Sequence, residues 1–127
     1  MKATLTLTFL FALQAYGIGI NCSGNGNCAN IPCNIRDLQT IANGLDDMKF
    51  WYPGEHIICC GEKGVTAALC VFTQNTHKYI RGKQVKQLLD GLVAHGCEKC
   101  GSNPFKENDV RYGELTVNYV AVRQASA

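Results

Sequence analysis

The chain has 127 residues, with 12 Lys or Arg against 10 Asp or Glu, for a formal net charge of +2 at neutral pH. So even a balance gives no electrostatic grip on a nucleic-acid backbone, and the length bounds the molecule to one small domain. Eight cysteines (Cys22, Cys28, Cys33, Cys59, Cys60, Cys70, Cys97 and Cys100) form an even set, which in a small chain points to an oxidising compartment and a disulfide framework.

The N-terminus reads MKATLTLTFLFALQAYGIGINC. One lysine at Lys2, an apolar-and-threonine run from Ala3 to Leu13 and small residues before Cys22 have the layout of a secretory signal peptide. Gly17 is preferred over Ala15 as the cleavage point, which makes 1–17 the signal peptide and leaves 18–127 as a single mature domain. No later segment supplies the run of about 20 apolar residues that a membrane-spanning helix needs. The mature protein is therefore expected to be extracellular, monomeric and not inserted in a membrane. The sequon Asn21-Cys22-Ser23 is unused if Cys22 is bridged.

Ile18 to Cys22 is a short apolar start, read as a strand, and SGNGNCANIP after it is turn-rich. From Asn34, the residues Ile35, Leu38, Ile41, Ala42 and Leu45 recur at three- and four-residue steps. This is an amphipathic helix, with Asn34 as its N-cap and Gly44 as the residue able to turn left-handed near its end. Pro53-Gly54 marks a turn, and His56–Cys60 and Val65–Thr73 read as antiparallel strands joined through Gly61 to Gly64. Gly82–His95 places Val85, Leu88, Leu89, Leu92 and Val93 on one face, with Gly96 as a C-terminal cap. Burial of those five side chains is worth roughly 8 to 15 kcal/mol before entropy, an upper bound. A short strand is allowed around Asn103–Val110, and Glu114–Val122 is a strand with apolar residues on both faces, hence central. The order gives an α+β fold: a two-layer, disulfide-stapled α/β sandwich of split β-α-β type, with two helices on one face of an antiparallel sheet.

The stretch HGCEKCGSNP, His95 to Pro104, carries a Cys-x-x-Cys pair open to three readings. A redox dithiol belongs at a helix N-terminus, where the dipole favours thiolate, whereas this pair follows a helix C-terminus. A structural zinc site needs a second close cysteine pair, and Cys22, Cys28, Cys33, Cys59, Cys60 and Cys70 supply none, leaving His56, His77 and His95 as scattered donors. Structural disulfides remain. No Gly-x-Ser-x-Gly, phosphate loop or His-Glu-x-x-His occurs, and Asp46, Asp47, Glu107 and Asp109 are loop carboxylates without an evident partner. No catalytic, metal-binding or cofactor-binding residues are expected. A cleft lined by Asp109, Glu107 and His95 would reopen the question of an enzyme.

Three blocks, GINCSGNGNC (19–28), HGCEKCGSNP (95–104) and NDVRYGELTVNYV (108–120), with IRD (35–37) and PGE (53–55) between them, resemble the killer protein four family of virally encoded fungal killer toxins and their relatives in fungal genomes. The resemblance spans the whole mature chain. It implies a compact α/β sandwich in which Cys22 pairs with Cys97 and Cys28 with Cys100. The founding toxin has ten cysteines, and Tyr52, Tyr79, Lys86 and Arg123 occupy the positions of four of them here, so two of its bridges are absent. Among Cys33, Cys59, Cys60 and Cys70, adjacent strand residues face opposite ways. One of Cys59 and Cys60 should thus reach Cys33 and the other Cys70, in an order left open.

The resemblance also implies a secreted toxin without enzymatic activity or cofactor, one that inhibits the growth of susceptible cells by acting on a cell-surface protein of the target cell, a calcium channel in the founding toxin. The basic segment that follows Pro-Gly-Glu in that toxin is reduced here to His56 and Lys63. Arg81, Lys83 and Lys86 along the second helix are the other candidate contacts, although a solvated helix face explains them more simply. The competing class is a secreted fungal effector or interaction protein on the same fold without channel-blocking activity.

Overall fold

The computed structural model describes residues 19–61 and 67–121. Residues 1–17, expected to be a signal peptide, and Ile18, Lys63, Val65, Val122 and Arg123 lie outside the described residues. A four-stranded antiparallel sheet contains β2 (Ile58–Cys60), β3 (Ala67–Gln74), β5 (Gly101–Pro104) and β6 (Glu114–Ala121), in the spatial order β2-β3-β6-β5. A separate antiparallel ribbon pairs β1 (Phe50–Trp51) with β4 (Ile80–Arg81). Helices α1 (Ile35–Ala42) and α2 (Gly82–His95) complete the second layer.

β6 is central, as its apolar residues on both faces require: it pairs with β3 from Ala67↔Ala121 to Gln74↔Glu114, and with β5 on its other edge. Alternation sends Leu69 and Val71 of β3 and Leu115 and Val117 of β6 into one core cluster with Ile35, Leu38, Val85, Leu89 and Leu92. All of these are wholly buried. The two helices therefore share one face of the sheet, and the fold is the disulfide-stapled α+β sandwich expected from the sequence.

The helix ends follow local chemistry. At α1, Asn34 Oδ1 accepts from the Asp37 N–H (3.0 Å) while the Asp37 carboxylate accepts from the Asn34 N–H (2.9 Å), a reciprocal capping box. Gly44 does not turn left-handed. The last turn instead tightens, with Gly44 N–H donating to the Ile41 carbonyl and Leu45 N–H to that of Ala42, which satisfies the terminal carbonyls without a positive φ. Gly96 does take the left-handed cap of α2, at φ 96°.

Two strand boundaries differ from expectation. The N-terminal strand shrinks to one bridge, Asn21↔Ser102, because the Asn21 side chain accepts from the Ser23 N–H (3.0 Å) and turns the chain away. The strand near Asn103 starts earlier, at Gly101, and stops at Pro104, which has no N–H to extend a ladder. A 3-10 turn at Val110–Tyr112 follows.

Four disulfides staple these parts. Cys22–Cys97 and Cys28–Cys100 span 75 and 72 residues, the pairs that the resemblance implies. Each long loop is worth about 4 kcal/mol in the chain-entropy model, and the second adds less because the two loops overlap. Cys59 lies opposite Cys70 in the β2–β3 register and bonds to it, while Cys60, on the other face, reaches Cys33 ahead of α1. Replacing Leu89, at the centre of the core, by Ala should lower stability by about 2 to 5 kcal/mol. Denaturant unfolding with all bridges intact measures this, and a negligible change would displace Leu89 from the core.

Candidate functional site

The β1–β4 ribbon alternates in an unusual sense for a small protein. Trp51 and Ile80, paired in register, point inward and are buried, which turns Phe50 and Tyr52 on one strand and Tyr79 and Arg81 on the other toward solvent. Phe50 and Tyr79 stack at 4.8 Å between ring centroids, Phe50 and Tyr52 meet edge-on at 5.6 Å, and Tyr52 and Tyr79 meet edge-on at 6.3 Å. Phe50 stays 42 % exposed, Tyr52 56 %, Tyr79 47 %, and the neighbouring Met48 63 %. Folding leaves this much apolar surface in water, as an interaction site does.

A cation sits on the cluster. The Arg81 guanidinium carbon lies 5.5 Å from the Phe50 centroid and 5.1 Å from that of Tyr79. It donates to the Met48 carbonyl (2.5 Å) and to the Tyr79 hydroxyl (3.4 Å). Each exposed cation–π contact contributes about 0.5 to 1 kcal/mol, and together they fix a long side chain before any partner arrives. Tyr52 and Tyr79 thus touch through their rings across the ribbon.

The ribbon is anchored to α2 through backbone. Arg81 stands at the N-cap but supplies no side-chain cap. The Asp46–Lys49 turn does the work: Gly82 N–H donates to the Lys49 carbonyl (2.8 Å) and Lys83 N–H to the Asp47 carbonyl (3.0 Å). Only glycine fits at position 82, since a Cβ there would collide with the Asp46 carbonyl oxygen. Lys86, one turn into the helix, closes the arrangement with an ion pair to Asp47 at 2.8 Å. The hydrogen bond from Lys86 and then its charge hold the Asp47 carboxyl below the ordinary aspartate value, with Lys83 acting the same way and partial burial opposing.

Met48, Tyr79, Arg81, Lys83, Gln84 and Gln87 line a cleft of about 460 Å³ beside the rings, with Asp47 at its edge. It offers an aromatic wall, two cations and two amides, groups that can recognise a partner's acidic and polar atoms. The structure therefore brings Arg81, Lys83 and Lys86 to one place. Arg81 belongs to the ribbon, not to a solvated helix face, and Lys86 is occupied by Asp47. His56 lies elsewhere, its ring 5.8 Å from Phe72 of β3, and Lys63 is outside the described residues.

Sequence reasoning missed the aromatic contribution. Phe50-Trp51-Tyr52 and Tyr79-Ile80-Arg81 alternate about buried Trp51 and Ile80, but each run is too short to stand out from loop sequence. Of the carboxylates singled out earlier, Asp47 lines this cleft, whereas Asp109 and Glu107 do not. Asp109 is buried and gripped by Arg111, whose guanidinium donates at 3.0, 3.1 and 2.6 Å and whose N–H donates at 2.9 Å. Those bonds lower its carboxyl below the ordinary value, while Glu107 and His95 are exposed. The described clefts at Asn34 and Glu98, at Met48 and Tyr79, and at Pro32 and Asp37 include none of the three.

Fold and site define a class: a small disulfide-stapled α+β scaffold that presents one pre-ordered aromatic and cationic face. The Kp4 family profile matches residues 5–121, and the KP4 killer toxin of Ustilago maydis P4 virus is 36% identical over 124 residues, covering 89% of this chain and 91% of the relative. The chain belongs to the Kp4 family, as its cysteine frame and the block Leu115 to Val120 indicated, and it is a toxin-like protein by that relationship.

The ion pair gives a direct test. Because the Asp47 carboxyl is lowered in the folded state, the pair holds above the ordinary aspartate range and is lost as pH falls through the depressed folded value. Lys86→Gln should return the Asp47 carboxyl to the ordinary range in an NMR titration of its side-chain carbon. An unchanged midpoint would show that Lys86 does not set it.

Proposed function

We propose that this chain is a secreted, non-catalytic toxin-like protein that inhibits the growth of susceptible cells by binding a protein at their surface, with a calcium channel as the target class. Residues 1–17 serve as the signal peptide and 18–127 as the active domain, which acts as a monomer and needs no cofactor. Kinship with a killer toxin over nearly the whole chain supports the toxin reading. The disulfide density fits export. Among the described residues no helix is long and apolar enough to cross a membrane, which agrees with action from outside the bilayer.

The observation that carries the binding mode is the ordered ring cluster under Arg81. Tyrosine and arginine dominate protein-binding hot spots, and side chains already held in place lose little entropy on docking. Lys83 and the cleft beside Tyr79 extend this face, and the other candidate contacts, His56 and Lys63, are secondary. Blockade of a cation pathway suits a face whose free charges, at Arg81 and Lys83, are positive.

Purified oxidised protein applied to sensitive cells should arrest growth and reduce calcium influx. A double variant, Tyr79→Ala with Arg81→Ala, should keep the four disulfides yet need roughly thirtyfold more protein for the same effect, the consequence of losing one hot spot. Full potency in that variant would rule out this face. Binding to a wall or host component with growth and calcium entry unaffected would replace the toxin reading by that of a secreted effector.

A further inference from the structure

His56, Cys59 and Cys70 form a cluster at the β2–β3 side of the sheet and share no residue with the ribbon. One imidazole nitrogen and the two sulfurs lie within 4.8 Å of one another. In the oxidised protein the sulfurs are bonded together, so neither is a thiolate able to take a metal. The site exists only once that bond opens.

Three observations single out this bridge among the four. First, it is reachable. Cys59 is exposed on β2, a three-residue edge strand paired on one side only; Cys22 of the Cys22–Cys97 bridge is exposed as well, Cys33 and Cys60 are half-buried, and both members of Cys28–Cys100 are buried. Exposed sulfurs are the ones an external thiolate attacks. Second, it is dispensable: the bridge spans 11 residues against 27, 72 and 75 for the others, so its loss relaxes the unfolded chain least. The eight-position β3–β6 ladder and the helix layer do not depend on it. Third, a nitrogen donor is already in place, its ring held against Phe72.

We propose that Cys59–Cys70 is the bridge that an external dithiol opens with the fold intact, and that the reduced pair, with His56, forms a three-donor site for a thiolate-preferring divalent ion of the zinc class. In the opening step a dithiol thiolate attacks Cys59 Sγ, the Cys59–Cys70 bond breaks, and Cys70 leaves and takes up a proton. The second reagent thiol resolves the mixed disulfide, releasing Cys59 as the reagent closes its own disulfide. Two electrons and two protons have then passed from reagent to protein. The metal displaces the two thiol protons on binding, and a Cys₂His set leaves a fourth tetrahedral position for water. Protein with this bridge open would couple exposure to reducing thiols to metal uptake.

The test uses the whole oxidised protein and Co²⁺ as a spectroscopic probe. Graded dithiothreitol followed by alkylation and peptide mass spectrometry should label Cys59 and Cys70 while the other six cysteines stay paired. Selectively reduced protein should then show thiolate-to-cobalt charge-transfer and tetrahedral bands that the oxidised protein lacks. His56→Ala should preserve the order of reduction but weaken Co²⁺ binding by more than the roughly tenfold to hundredfold loss of an outer-sphere partner. Cys59→Ser with Cys70→Ser should fold and show no bands at all. Labelling of another pair first would overturn the proposal, as would cobalt bands that are absent after selective reduction or indifferent to His56.

Discussion

The second helix is fixed at both ends, and the rest of the molecule is placed by that constraint. At its C-terminus the left-handed Gly96 turns the chain into Cys97 and Cys100, which tie it to the N-terminal segment. At its N-terminus Gly82 lets the Asp46–Lys49 turn lie against the helix and cap it with carbonyl oxygens. Between those points Val85, Leu89 and Leu92 face the sheet and are wholly buried. A domain of this size has only a modest core, and covalent staples offset what burial alone does not supply.

The candidate site inherits its rigidity from the same helix. β4 runs directly into α2, so Tyr79 and Arg81 are set by the first helical turn, and β1 pairs with β4 from the turn that caps it. The rings and the guanidinium sit on a two-stranded ribbon whose second strand leads into the capped first turn of α2. Such a face can be presented to a partner without reorganising, which lowers the entropy cost of binding. The buried Asp109 shows the other use of charge in this fold: it caps a 3-10 turn and is held by the Arg111 guanidinium.

Much of the architecture was legible in the sequence because long elements have clear periods. The 3.6-residue pattern of α2, the alternation of β6 and the Asn34 cap each rest on chemistry local to a few residues. Legibility failed where tertiary contacts decide the outcome. Gly44 had a left-handed option, but the i→i+3 bonds of the last turn of α1 made it unnecessary. Phe50 and Tyr79 are 29 positions apart, and nothing local says that their two-residue strands will pair. Cys59 and Cys60 were known to diverge, yet only the register, with Cys59 opposite Cys70, decides which goes where. Arg81 was noticed as a charge, whereas its role comes from the two rings beneath it.

The central claim is that the Phe50–Tyr79–Arg81 face meets the target. Competition for binding to susceptible cells tests it most directly, with labelled wild-type protein displaced by unlabelled variants of intact disulfide content. A variant altered on this face should fail to displace the label, while one altered at exposed Thr40 of α1 should compete as well as wild type. Equal displacement by both would contradict the account.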